Sequence, residues 1–218
     1  MSEQPEPRRE NLYLQLREDI LSCALAPGQN IHEGELATRF AVSKSPVRDA
    51  LMRLEADRLV IVQPRKGYRV APVSLSDAAD IFDLRLLMET ATVQHAAASG
   101  ESADLAALDR FRTLEAWGGE SGFVGYNRDF HVAIAMMSPN GRIRAAARDV
   151  IEQLDRLVVL DLATSKATES RSMLAEHNAI IDALQAGEGR KAVRLVAQHI
   201  ERGKRRILAS LARMAIVP

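Results

Sequence analysis

The sequence has little of what disulfide-stapled or membrane-embedded proteins are built from. Among 218 residues there is one cysteine, Cys23, so no internal disulfide can form. Its setting, "ILSCAL", reads as that of a small buried apolar residue. No stretch approaches the ~20 apolar residues of a membrane span. Aromatics are 4% of the chain against 47% hydrophobic and 27% charged residues, which with many Ala, Leu and Arg suggests a soluble, mostly helical protein. No HExxH, no Gly-rich phosphate loop and no nucleophile elbow is found, which argues against an enzyme. No internal repeat or low-complexity segment stands out, so a compact bundle is expected and not a solenoid. The opening MSEQPEPRRE has two prolines, alternating charge and no apolar run; residues 1–10 are expected to be a flexible tail and not a signal peptide, with a cytoplasmic address.

Net charge is also missing, with 29 Lys and Arg against 29 Asp and Glu. That balance hides a local excess. Between Arg39 and Arg69, eight cations (Arg39, Lys44, Arg48, Arg53, Arg58, Arg65, Lys66, Arg69) meet three anions (Asp49, Glu55, Asp57). A cluster of this kind is the electrostatic footprint that phosphate backbones attract.

What is present is helical periodicity, interrupted once. Leu12, Leu16, Ile20 and Leu21 predict a first helix over 11–23, ended by Pro27-Gly28. "HEGELATRF" predicts a short second helix, and Ser43 an N-cap for a third in which Val47, Leu51 and Leu54 repeat. Pro46 fits because it falls in the first turn. "LVIVQPRKGYRVAPV" then has β-branched runs on either side of Pro64-Arg65-Lys66-Gly67, a small β-hairpin. "APVSLSD" joins a proline to capping residues and marks a domain boundary near Val73. The expected layout is a winged helix-turn-helix over 11–72, a linker over 73–78 and an all-α bundle over 79–218. About six helices are expected in that bundle: 79–98, 102–116, 120–137, 141–163, 167–186 and 189–214.

Two short helices joined by a three-residue turn form a helix-turn-helix, whose second helix can enter a major groove with its N-terminus leading. Ser43 and Ser45 can hydrogen-bond phosphate or base edges there, and Lys44 and Arg48 share a face, Arg48 suiting bidentate contact with guanine. Arg65, Lys66 and Gly67 at the hairpin tip would lie as a wing over the adjacent backbone or minor groove. A basic helix alone also describes a solvated face. A basic hairpin directly after it is a second, independent feature, and the two together point to DNA, with Arg39 and Arg53 inside the same cationic footprint.

"APGQNIHEGELATRFAVSKSPVRDALMRLEADRLVIVQPRKGYRVAPV" resembles the signature of the GntR family of winged-helix bacterial regulators. The resemblance rests on Pro27-Gly28, Glu35-Leu36-Ala37, the run from Val42 to Leu51, Leu54-Glu55 and Gly67. It implies operator contacts from Ser43, Lys44, Ser45, Arg48, Lys66 and Gly67. Gly34 departs from the pattern, in which Arg is frequent before Glu-Leu.

Four of five histidines fall in the second domain, and His131, His177 and His199 sit on different predicted helices. A lone histidine on an apolar helix face is more often a satisfied core residue than a ligand. Here, however, Asn127 lies one turn before His131 on the same face, while Asp129 points elsewhere. Inward polar groups from several helices are how bundles build metal sites. Residues 76–218 resemble the helical effector-binding (FCD) domain of the FadR subfamily of GntR proteins, in its shorter, VanR-like branch. The resemblance implies a metal held by Asn127, His131, His177 and His199, with Asn127 standing where Asp is frequent. Three imidazoles suit zinc first and nickel second. Positions left open on such an ion would take the carboxylate of a small organic acid, and Arg85 could bind the same carboxylate or be an exposed surface residue. His32 and His95 are read as structural. The expected protein is thus a homodimeric regulator, a repressor in the simplest case, that binds double-stranded operator DNA under control of a small carboxylate, with no membrane partner. A metal-responsive regulator and a metal-dependent enzyme are the rival readings.

Overall fold

The structure is a computed structural model and describes residues 6–163 and 168–214. Residues 1–5 of the expected tail, and 164–167 and 215–218 of the expected 79–218 bundle, lie outside the described residues. The chain divides into two compact units, Met1–Val73 and Ser74–Pro218. No described helix is long and apolar enough to cross a membrane.

The first unit contains α1 (Glu6–Leu21), β1 (Asn30–Ile31), α2 (Glu33–Arg39), α3 (Lys44–Ala56), β2 (Val60–Gln63) and β3 (Gly67–Val70). Leu12, Leu16 and Ile20 of α1 pack on Leu36 of α2 and on Val47, Ala50, Leu51 and Leu54 of α3, and Ile31, Val60 and Val70 close this core. Helix α1 starts at Glu6, so residues 6–10 are helix and not tail. Pro7 permits this because a first-turn residue has no helical partner for its missing N–H. The helix stops at Leu21, and Cys23, half-buried where full burial was expected, takes a left-handed φ of 59° beyond the end.

The expected hairpin is part of a three-stranded sheet of order β1-β3-β2, with Val62 opposite Tyr68 and Asn30 opposite Arg69. The two residues of β1 are too few to display alternation, which is why periodicity missed them. At the wing tip Lys66 N donates to Gln63 O at 3.0 Å, with Pro64 second and Arg65 (φ 66°) third in the turn. That is the type II arrangement, in which proline suits the second position and the third needs positive φ. Gly67 follows at φ 91°, where a Cβ would lie 3.0 Å from Ile31 O, so glycine lets β3 meet β1.

The second unit has seven α-helices among the described residues: α4 (Leu75–Ser99), α5 (Ser102–Ala107), α6 (Phe123–Met136), α7 (Gly141–Gln153), α8 (Asp155–Leu162), α9 (Thr168–Gln185) and α10 (Gly189–Met214). Ser74 caps α4 by accepting from Asp77 N at 3.0 Å, so that helix starts at 75 and occupies most of the expected 73–78 linker. α4 and α10 pack antiparallel. Near one end a Cβ on Gly189 would meet Ala97 Cβ at 2.9 Å, and near the other a Cβ on Gly203 would meet Phe82 at 3.6 Å.

The expected helix over 102–116 holds only to Ala107 and then tightens into 3-10 turns at Leu108–Phe111 and Glu115–Trp117. Stacking of Phe111 on Trp117, centroids 5.1 Å apart, goes with that tightening. The expected helix over 141–163 divides at Leu154 into α7 and α8. Asn140 caps α7 by accepting from Arg142 N and Ile143 N at 3.0 and 3.3 Å.

Candidate metal centre and nucleic-acid surface

In the first unit α3 begins at Lys44, leaving the backbone donors of its first turn without helical acceptors. Ser43 occupies the N-cap position but makes no side-chain cap bond, so its hydroxyl is not spent on the helix. Ser43, Lys44, Ser45 and Arg48 are exposed together on this end, and Arg65 and Lys66 are exposed on the wing tip.

Arg48 is not idle. Its guanidinium forks onto Glu33 of α2, Nε to Oε1 at 3.1 Å and Nη2 to Oε2 at 2.8 Å. These bonds hold the Glu33 carboxyl below the usual carboxylate range. Arg39 and Arg53 are turned to the scaffold: Arg39 pairs with Asp19 at 2.8 Å and lies over the Phe40 ring, and Arg53 lies 3.8 Å above the Tyr13 ring. They add to the local field more than to the reading edge. Tyr13 in turn donates to Asp57 Oδ2 at 2.6 Å; burial first, and then that bond, push its phenol up to about 12.

The second unit brings His131 (α6), His177 (α9) and His199 (α10) together, with their ligand atoms within 4.8 Å of one another and all three rings buried. The sequence separates them by up to 68 positions; amphipathic helices returning to one core remove that distance. Other aromatics hold the rings: Phe130 stacks on His177 at 4.1 Å between centroids and meets His131 edge-on at 5.0 Å.

The protons on these rings follow from their partners. Tyr126 donates its hydroxyl hydrogen to Phe111 O at 3.0 Å, so its oxygen has to accept from His177 Nδ1, also at 3.0 Å. Glu176 holds its carboxyl below the usual range despite partial burial, because His199 and Arg202 hydrogen-bond to it. It therefore accepts from His199 Nδ1, at 2.8 Å. Both rings thus carry hydrogen on Nδ1, and both Nε2 atoms present lone pairs across 3.3 Å. Two facing lone pairs at that distance repel unless a cation lies between them. Burial lowers the pKa of His131 and His177 well below the ordinary value, reinforced by neighbouring histidines and Arg85, and lowers that of His199 against the pull of Glu176. Neutral imidazole is the form that binds metal.

Among the described residues His131 Nε2 is buried without a hydrogen-bond partner, and its Nδ1 lies against Glu89 Oε2, 2.5 Å away. Asn127, one turn earlier on α6, lines a small cavity of about 10 Å³ together with Arg85 and His199. The donor set and the unpartnered Nε2 of His131 fit a divalent transition ion, with the Asn127 oxygen as a weak fourth donor.

Arg85 is 3% exposed, which removes the surface reading of it. Its Nε donates to Glu89, and its Nη2 is buried without a hydrogen-bond partner among the described residues. Asp129 is engaged away from the cluster, accepting from Trp117 Nε1 at 3.1 Å. His95 Nδ1 lies 2.8 Å from Ser138 Oγ, and His32 precedes α2.

Sequence reasoning missed Glu89, Tyr126 and Glu176. Arg85 and Glu89 stand one turn apart in an otherwise apolar stretch, a visible signal. Tyr126 bonds a ring 51 positions away, which no local pattern announces.

Comparison with known proteins agrees with both halves. Residues 8–70 match the bacterial regulatory proteins of the gntR family, and residues 80–202 match the FCD domain. The HTH-type transcriptional repressor RspR of Escherichia coli (strain K12) is 26% identical over 202 residues, covering 90% of this chain and 87% of its own. An HTH-type transcriptional regulator in an unstable DNA locus of Streptomyces ambofaciens is 30% identical over 185 residues, 83% of this chain and 76% of its own. A solved GntR transcriptional regulator from Rhodococcus sp. RHA1 superposes with a TM-score of 0.79 at 25% identity, covering 93% of this chain and 98% of its own. These proteins are transcriptional regulators and not enzymes, which sets aside the metal-dependent enzyme.

Proposed function

This chain belongs to the GntR family of bacterial regulatory proteins, a DNA-binding transcriptional regulator with an FCD domain, and from that premise we propose that it is a homodimeric repressor whose operator affinity is set by a small organic acid held at a transition-metal centre. The name of RspR supports repression. A two-fold dimer reads a pseudo-palindromic operator, one winged helix per half-site. Ser43, Lys44 and Ser45 lead α3 onto the phosphates, Arg48 exchanges Glu33 for guanine, and Arg65 and Lys66, with Gly67 allowing close approach, lay the wing along the backbone.

In the second unit His131, His177 and His199, with Asn127, hold the ion, zinc in the first place and nickel in the second. The observation that carries this is the pair of Nε2 lone pairs 3.3 Å apart, each fixed by a partner on Nδ1. The ion supplies a positive site for a carboxylate oxygen. The unpartnered Nη2 of Arg85, lining the same cavity, supplies the donor for the acid's second oxygen.

The test is elemental analysis of the purified protein and of His177→Ala, with thermal shifts against small carboxylic acids. About one transition ion per chain, lost in the variant, with an acid that stabilises the protein and loosens operator binding, is the expected result. Protein without metal that an acid still stabilises would overturn the centre and leave the DNA-binding assignment standing. A chain that stays monomeric at micromolar concentration with operator would overturn the dimer.

The cavity beside the centre favours one further reading. At about 10 Å³ it has room for little more than a water in this conformation. In that reading the ion itself is the signal, and metal alone, with no acid present, would change operator affinity.

A further inference from the structure

Glu89 of α4 is an acidic group at the centre that neither the donor pattern nor the operator-binding scheme uses. It is 2% exposed, and its two oxygens serve different partners. Oε1 accepts from Arg85 Nε one turn earlier, and Oε2 lies 2.5 Å from His131 Nδ1, though off the line of a hydrogen bond.

The same arrangement occurs once more around the cluster. Glu176 Oε1 accepts from Arg202 at 2.8 Å while its Oε2 accepts from His199 Nδ1 at 2.8 Å. Two of the three imidazoles therefore meet an arginine-anchored carboxylate at Nδ1, and the third, His177, meets the Tyr126 hydroxyl. The contrast lies in completeness. The Glu176 bond to His199 is formed, whereas the Glu89 contact to His131 is already close but lacks alignment. A small rotation of the ring aligns it, and that rotation also decides where His131 Nε2 points.

The charge balance favours the same role. Neutral imidazoles and the Asn127 carboxamide bring no negative charge to a buried dication, and an uncompensated buried charge is costly. A carboxylate on the outer nitrogen of a ligating histidine raises the basicity of the inner one and fixes its tautomer.

The geometry points to Glu89 as the positioning residue of the metal centre: it holds the hydrogen on His131 Nδ1 and aims Nε2 at the ion, as Glu176 does for His199. This rests on the metal-centre reading above. Arg85 anchors Glu89 and so takes part in the centre without touching the ion.

The experiment uses the full-length protein, stripped of metal, with zinc affinity measured by competition against a chromophoric chelator and histidine tautomers read from imidazole nitrogen shifts. Glu89→Gln is expected to bind zinc about 10- to 100-fold more weakly, with the His131 tautomer no longer fixed. Glu89→Asp, which keeps the carboxylate, recovers part of the affinity. Zinc binding and a His131 tautomer both unchanged in Glu89→Gln would overturn the inference while leaving the metal centre intact. Wild-type protein with no zinc affinity would overturn the centre, and this inference with it. If Glu89→Gln fails to fold because Arg85 is left buried without a counter-charge, Arg85→Met/Glu89→Gln, which carries neither charge, takes its place: weaker zinc binding with a freed His131 tautomer supports the inference, and wild-type values of both overturn it.

Discussion

Replacing Tyr126 by phenylalanine tests the proton assignment at the centre with a single atom. Tyr126 is fully buried, and its hydroxyl bridges Phe111 O and His177 Nδ1, each at 3.0 Å. Burial also pushes its phenol pKa up, so the hydroxyl keeps its proton throughout the working pH range. Phenylalanine keeps the ring contacts with Trp117 and Phe123, 5.3 and 5.8 Å between centroids, and removes only the oxygen. What remains is a buried N–H on His177 without its acceptor, a loss of about 1–3 kcal/mol. Since about 1 kcal/mol moves the midpoint of a unit this size by roughly 2–4 °C, the metal-free protein should melt roughly 2–12 °C lower. The imidazole also loses the bond that fixes its tautomer, and zinc affinity should fall about 10- to 100-fold. Thermal unfolding with and without zinc, together with chelator competition, measures both. A variant that loses midpoint but binds zinc with wild-type affinity would refute the tautomer argument, because His177 Nε2 would then be available without Tyr126.

Arg48→Ala should weaken specific operator binding roughly 5- to 150-fold and flatten base preference at one position of each half-site, with little change in nonspecific binding; equal effects on both would reject Arg48 as a base reader. Glu33→Gln removes the internal partner of Arg48, so binding to nonspecific DNA should rise and discrimination fall in a fluorescence anisotropy titration. The metal-free protein should lose stability in acid. His131, His177 and His199 are held neutral in the folded state, chiefly by burial, so below about pH 6.5 the unfolded chain takes up protons that the folded chain refuses. The stability is therefore complete above that pH and falls below it, by up to about 1.4 kcal/mol per pH unit for each histidine; denaturation midpoints equal at about pH 7.5 and about pH 5.5 would contradict the assignment. Gly67→Ala places a Cβ 3.0 Å from Ile31 O at a φ of 91°, so it should cost about 1–2 kcal/mol and loosen the wing, seen as a lower melting midpoint and weaker operator binding.

Much of the first unit was legible because its information is local. Val47, Leu51 and Leu54 declare α3 by spacing alone, and Pro64 to Gly67 declare a turn by chemistry. The errors lay where a few residues decide: the two-residue strand β1, the extra turns at the start of α1, and the 3-10 turns after Ala107. For the strand and for the 3-10 turns, tertiary contacts and not periodicity set the backbone. The wing's third strand, for example, exists because Asn30 and Ile31 find Arg69 and Tyr68 beside them.

The second unit divides the same way. The helical pattern and the three histidines were readable by themselves, since each histidine sits on an apolar helix face and helix formation depends on neighbours three or four positions away. Their convergence was suggested by the family resemblance, but the distances, the tautomers and the partners came only with the packing. Tyr126 meets His177 across 51 positions, and Glu89 meets His131 across 42. The sequence by itself determined where most of the helices lie, which face of each is apolar, and where positive charge gathers for DNA. Only the tertiary structure decided which nitrogen of His177 and of His199 keeps its proton and whether Arg85 is buried, because those depend on groups brought together by the fold and on the water it excludes.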